Sequence, residues 1–439
     1  MAELTIASPP CAWSRDNLLS GLTKLLLLPL QLLMSWPSLL FLAALTAMLL
    51  RHPDVSFYQI DRVAFGCLVV GVVGRTIALR QRPAVWVRMS WPMLGLALMA
   101  LATVISQPFD QQAWSLLAAK FLVPFTLFHL AQIVFTDQRA LKRFEIFALI
   151  VLAYLSFTSI AFLVGAHALI FPRFILDDSL GFHADRARGP LLQAVANGVS
   201  LNILGLLALH AWRRRTCKGL KAVLLLASVP LAILATMTRA VWLSFAVTVL
   251  ALIIISTHGR TRRVAIALAL AAGMGVVVVA SSTELAAGFF DRLEERGPLD
   301  YREAVYAASW QMFLERPLLG WGFHRMPEEL PRFVSDYHEK VLYPHNTYLE
   351  ILVEQGIFGL ALYLWLIVEL WRLRLGPIPP DEEHGFLDRH FHRMWPLLLA
   401  VYWINAAVVV MSYQFVNGLL FTMAGMLAAQ SRRAETHPC

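Results

Sequence analysis

The sequence predicts an all-α integral membrane protein of about twelve helices, on three observations. Hydrophobic residues make up 58% of the 439 and charged residues only 15%, with mean hydropathy +0.62, too apolar a balance for a soluble domain of this length. Many stretches reach the roughly 20 apolar residues that an α-helix needs to cross a hydrocarbon core. Basic residues alternate in abundance from one connecting segment to the next, as the positive-inside bias requires. The period-2 segments of an outer-membrane barrel are absent.

Apolar stretches place the spans near 25–50, 62–79, 89–106, 114–135, 144–170, 190–211, 222–237, 240–257, 264–282, 345–371, 394–411 and 413–430. The first stretch, from about residue 16, is longer than a signal peptide and lacks a small-residue cleavage site, so it reads as retained. Pro29 and Pro37 interrupt it, which leaves one kinked span or a surface helix followed by a span. One set of alternate loops, with both termini, holds 22 Lys and Arg; the short loops of the other set hold six, which orients the termini and the first set to the cytoplasm. The chain thus divides into helices 1–9 over residues 1–282, an outer loop domain over 283–344, and helices 10–12 over 345–439. Within the outer loop, "YREAVYAASWQMFLERPLLGWG" reads as an amphipathic helix from Tyr301 to about Glu315, with Tyr306, Trp310 and Phe313 on one face and Pro and Gly ending it.

Charges gather on the outer side. Arg186 and Arg188 lie in "GFHADRARGP" before span six, Arg239 in a tight turn, Arg302 at the start of the loop helix, and His345 before span ten. Lys120 enters span four about six residues from its outer end, roughly 9 Å deep, where a cation is a functional suspect unless it snorkels to the headgroups. Arg75, near a cytoplasmic end, reads as snorkelling. Several guanidiniums facing one compartment make a bidentate cradle for phosphate, so an anionic ligand, a pyrophosphate at the membrane surface, is expected for Arg186, Arg188, Arg239, Arg302 and Lys120. "TYLE" at 347–350 fits a capping box with Thr347 as N-cap. His345 and Asn346 then sit just outside a positive helix end, which together with neighbouring arginines keeps the imidazole neutral, the state a general base requires.

Other chemistries lack their residues. The sequence holds no HExxH, P-loop or GxSxG, and Asp177 and Asp178 have no fixed acidic partner, so no metal or cofactor is called for. Cys11, Cys67, Cys217 and Cys439 have no metal or redox spacing. The basic pI near 9.5 comes from membrane-flanking loops, where orientation explains it without nucleic acid.

"PLLGWGF", then about twenty residues, then "PHNTYLEILVEQGIFGLALYL" resembles the signature of the bacterial O-antigen ligase and polymerase superfamily. "TRAVWLS" is similar to its Ser-Arg-Gly/Ala segment, with Thr238 for the usual serine, and "RARGPLLQAVANGVS" to its Arg-x-x-Gly region. The resemblance implies a fold like the C-type membrane glycosyltransferases. It also implies an O-antigen ligase that moves polysaccharide from undecaprenyl pyrophosphate to a sugar hydroxyl of lipid A–core, at the periplasmic face of a Gram-negative inner membrane. By that resemblance Arg239 and Arg302 hold the pyrophosphate, with Arg188 a looser match, and His345 activates the acceptor while Asn346 and Tyr348 support it. The arrangement needs no metal and would invert the anomeric centre. An O-antigen polymerase and a protein O-oligosaccharyltransferase share this chemistry; an inorganic-carbon transporter of the same superfamily would need inverted repeats, which the sequence lacks.

Overall fold

In the computed structural model, residues 31, 33–51, 60–81, 83–181, 183–255, 259–281, 297–334, 342–379 and 385–436 are described. Every regular element among them is helical. In chain order they are α1 (Pro37–Leu49), α2 (Ile60–Ala78), α3 (Ser90–Ile105), α4 (Gln111–Val134), α5 (Gln138–Leu163), α6 (Ala194–Arg213), α7 (Gly219–Ala235), α8 (Arg239–Ile255), α9 (Gly259–Ser281), α10 (Gly297–Glu315), α11 (Thr347–Arg372), α12 (Arg389–Ala406) and α13 (Gln414–Thr436). A helix falls in each predicted apolar stretch, and α4, α5, α6 and α11 are long and apolar enough to cross a membrane by length and composition. Helices α1, α3, α7 and α8 are apolar but shorter. The protein is a membrane-embedded helical bundle. Most of the stretch from residue 16 to 36 lies outside the described residues, and Pro37 begins α1 at a position where its missing N–H costs nothing.

The bundle closes by a few long contacts. α13 lies along α4, α1 on α2, α5 against α6 and α7, α8 against α9 and α12, and α11 against α3. One continuous apolar core runs through them, including the fully buried Trp395, Phe128 and Phe144. Within α4 the ladder widens into a π turn over Ala118–Leu122, where Val123 N–H reaches Ala118 O. Pro124 explains it: the residue has no N–H to give to the Lys120 carbonyl four positions back, and its ring crowds that carbonyl.

The segment after α9 has its own small core, in which Val305, Ala308 and Met312 of α10 meet Met326, Leu330, Val334, Leu342 and Val353 of α11. Of the three aromatic residues that the sequence set on one face, Tyr306 and Phe313 pack against this core, while Trp310 is 52% exposed and lies 5.1 Å from the Phe313 ring between centroids.

α11 is broken at Gly356, which has φ 65° and ψ −165°, a conformation open essentially to glycine. The turn Pro317–Gly322 fills the break. Trp321 N–H and Gly322 N–H donate to Val353 O (2.9 Å) and Glu354 O (2.8 Å), while Ile357 N–H and Phe358 N–H donate to Pro317 O (2.8 Å) and Leu318 O (3.4 Å). Backbone groups freed inside an apolar bundle are thereby satisfied by protein. Gly320 is required as well, since a Cβ there would sit 2.5 Å from Val353 O.

Candidate active site

The break shortens the first half of α11 to Thr347–Gln355 and aims its N-terminus at a hollow. The N-cap is Asn346, whose side chain accepts from Tyr348 N–H (3.0 Å) and Leu349 N–H (3.1 Å). This corrects the expected capping box by one residue. Thr347 is occupied elsewhere: its hydroxyl donates to Val409 O (2.8 Å) and accepts from Met411 N–H (2.9 Å), pinning the link between α12 and α13 beside the site. Glu350 turns away from the cap to pair with Lys120.

Two cavities meet here. The first, of about 750 Å³, is lined by Arg186, Arg239, Arg302 and His345, with His183, Gln193, Thr238 and Tyr301, and with an apolar side formed by Val195, Leu243, Ile404, Ala407 and Val408. No carboxylate lines it among the described residues. Arg239 opens α8, where the positive end of a helix dipole disfavours a cation; the geometry suits a bound anion that neutralises both. The preceding turn is tight, with Met237 at φ 46° and Thr238 Oγ1 donating to Thr236 O (2.8 Å). Arg302 donates to Val408 O (3.4 Å), and Arg186 lies 3.7 Å from Asp185.

The second cavity, of about 530 Å³, shares His183, Gln193, Tyr301, His345 and Val409 with the first and adds Lys120, Glu350, Glu354, His324 and Phe323. His345 therefore stands at the junction. Its backbone is left-handed (φ 47°), as are those of His183 (φ 55°), Met237 and His324 (φ 62°), and such strained residues gather where function over-determines the backbone. Burial pushes the His345 imidazole below its ordinary value, with Arg302 and His183 acting the same way. Tyr301 meets the imidazole edge-on at 6.0 Å between centroids.

Not every expected residue arrives. Arg188 is 1% exposed and lines neither cavity; its Nε donates to Ile175 O (3.0 Å) and its two amino groups to Leu180 O and Asp177 O, so it clamps the 173–180 loop. Lys120 is buried against Glu350 on the wall of the second cavity, not among the arginines. Tyr348 points into the bundle, donating to Trp403 O (3.2 Å). Conversely, His183, Gln193, Tyr301 and Glu354 were not anticipated. The two carboxylates at 350 and 354, one helical turn apart in an apolar span, were the available signal. Among the described residues no group of three or more His, Cys, Asp or Glu stands together to hold a metal ion.

Residues 221–364 match the model of the O-antigen ligase family. The match takes in Arg239, Arg302 and His345, and the turn that fills the break in α11, over about a third of the chain. It supports the O-antigen ligase and polymerase superfamily, whose ligases and polymerases are glycosyltransferase-like enzymes of lipopolysaccharide biosynthesis. No curated protein matches the chain.

Proposed function

We propose that the protein is an O-antigen ligase of twelve membrane spans with a C-type glycosyltransferase-like fold, working at the periplasmic face of the inner membrane. One observation carries the reading: Arg186, Arg239, Arg302 and His345 line a single cavity. The pyrophosphate of an undecaprenyl-linked glycan sits among the three guanidiniums, and its polyprenyl tail leaves by the apolar side at Leu243 and Ile404. Neutral His345 takes the proton of a sugar hydroxyl on lipid A–core. That oxygen attacks the anomeric carbon from the face opposite the phosphate, the new glycosidic C–O bond forms as the C–O bond to phosphate breaks, and the anomeric centre inverts. Undecaprenyl pyrophosphate leaves with the electron pair, its charge held by the arginines, and the proton on His345 passes to solvent. The leaving group brings its own activation, so neither nucleotide nor metal enters the step.

The test is reconstitution of the purified protein with lipid-linked O-antigen and lipid A–core, without nucleotide and with a chelator. Attachment of glycan to the core is expected, and near-complete loss with His345→Ala. Donor consumed only with a second lipid-linked glycan, or only with a Ser or Thr peptide, would replace the ligase reading by a polymerase or a protein-directed transferase.

A further inference from the structure

α10 is covered on one side only. Its inner stripe packs into the small core, but on the opposite face Trp310 and Leu314, one helical turn apart, are open, and Leu314 is 59% exposed. The turn that follows adds Leu318 (59% exposed) and Leu319 (68% exposed). Nearer its start the same face of α10 carries Glu303, so the open face changes from polar to apolar along the helix. The other large side chains at the apolar end are held aside. Trp321 Nε1 donates to Met312 O (2.7 Å), the Arg316 guanidinium lies over the Trp321 ring at 4.3 Å, and Glu315 stands about 100° around the helix axis from Leu314.

Contacts with two spans fix the level of this patch in the bundle. Leu318 O accepts from Phe358 N–H (3.4 Å), which sets it beside the break in α11. A Cβ on Gly322 would stand 2.6 Å from Thr103 Cγ2, which sets the turn against the last turn of α3, about 3 Å short of that helix's end at 1.5 Å per residue. Along α11, residues 351–356 are all buried; large exposed side chains begin at Ile357 and Phe358 and recur at Leu364, Trp365 and Val368. Leu318 and Leu319 therefore prolong the surface that α11 presents to hydrocarbon.

A contiguous open apolar patch marks an interaction surface, and its continuity with the lipid-facing side of α11 names the partner. We infer that the C-terminal half of α10 and the residues Pro317–Leu319 lie in one leaflet of the membrane, at the boundary between headgroups and acyl chains, with Trp310 at the upper edge of the immersed face. The segment after α9 is then partly a membrane-dipping element rather than an aqueous loop. The inference stands apart from the ligase reading, since it needs only that the bundle be embedded.

Depth-dependent quenching tests it. Single cysteines are placed in the full-length protein after Cys11→Ser, Cys67→Ser, Cys217→Ser and Cys439→Ser, labelled with bimane, and the protein is reconstituted into phosphatidylglycerol vesicles with or without phosphatidylcholine brominated near the top of one acyl chain. Leu314→Cys and Leu319→Cys report the patch, Leu364→Cys on the open side of α11 reports correct insertion, and Glu303→Cys gives the aqueous reference. Brominated lipid should lower the fluorescence at 314 and 319 roughly twofold, as at 364, and leave 303 near its unquenched value. Labels at 314 and 319 quenched no more than at 303, in samples where 364 responds, overturn the inference. Protection of 314 and 319 from aqueous iodide without quenching by brominated lipid also overturns it, and assigns the patch to a protein partner.

Discussion

At one end of the bundle arginines meet carboxylates, and at the other they line a hollow. Arg213 pairs with Asp388, and Arg214 lies 3.0 Å from Glu145, itself 2% exposed at the side chain. Around His345, three guanidiniums share one cavity, and among the described residues no carboxylate lines it, Asp185 lying behind Arg186 at 3.7 Å. A cation placed beside a carboxylate holds helices together and little else. Cations gathered on the wall of one cavity suit a ligand that carries more than one negative charge. Arg188 shows that position in the sequence does not decide the matter: it is two residues from Arg186 and serves the loop backbone.

The sharpest way to break this contrast is at the hollow. Arg239→Ala should lower glycan transfer by about 10²–10³-fold, the usual loss for one charge-stabilising donor, with an unchanged melting temperature in detergent. Arg239→Lys should recover only part of it, since an ammonium lacks the planar fork. Equal activity in Arg239→Ala would remove the cavity from the chemistry. Arg188→Ala tests the opposite case: three carbonyls lose their donor, stability should fall by about 2–4 kcal/mol, and lost transfer should track lost folded protein. At the far end, Arg214→Ala strands Glu145, which Thr216 still serves at 3.0 Å, so a stability loss of about 2 kcal/mol is expected with unchanged transfer per folded molecule.

The smallest effect is on pH. The proposed general base His345 would act when neutral, and burial, Arg302 and His183 hold its pKa below the ordinary 6.5, so kcat/KM should rise with pH through a midpoint below that value. A bound pyrophosphate stabilises the imidazolium and moves the midpoint upward, so the acid limb of kcat should lie at higher pH than that of kcat/KM. His183→Gln removes one depressing neighbour and should shift the kcat/KM limb to higher pH. A limb that stays fixed in this variant would show that His183 does not influence the base.

The helices were legible because hydropathy and turn residues are local. The convergence of Arg186, Arg239, Arg302 and His345 was legible because the positive-inside bias makes outer arginines unusual, so several on one side ask for a shared reason. Arg188 was misplaced since a guanidinium serving three carbonyls looks in sequence like one awaiting phosphate. Lys120 was misplaced because its partner is 230 residues away, and because Glu350 also fitted a capping pattern. The role of Pro317–Gly322 was hidden altogether: nothing local announces that a turn will complete the backbone of a helix that follows it by some thirty residues.

That inserted turn makes the outer segment part of the machinery rather than a cover hinged above it. Two of its four main-chain bonds hold the half of α11 before Gly356 and two hold the half after it, so the turn splints the break, and α10 cannot lift without opening α11 on both sides of the glycine. The direction in which Asn346 and the N-terminus of the half-helix face the hollow is thereby set by a turn some thirty residues upstream.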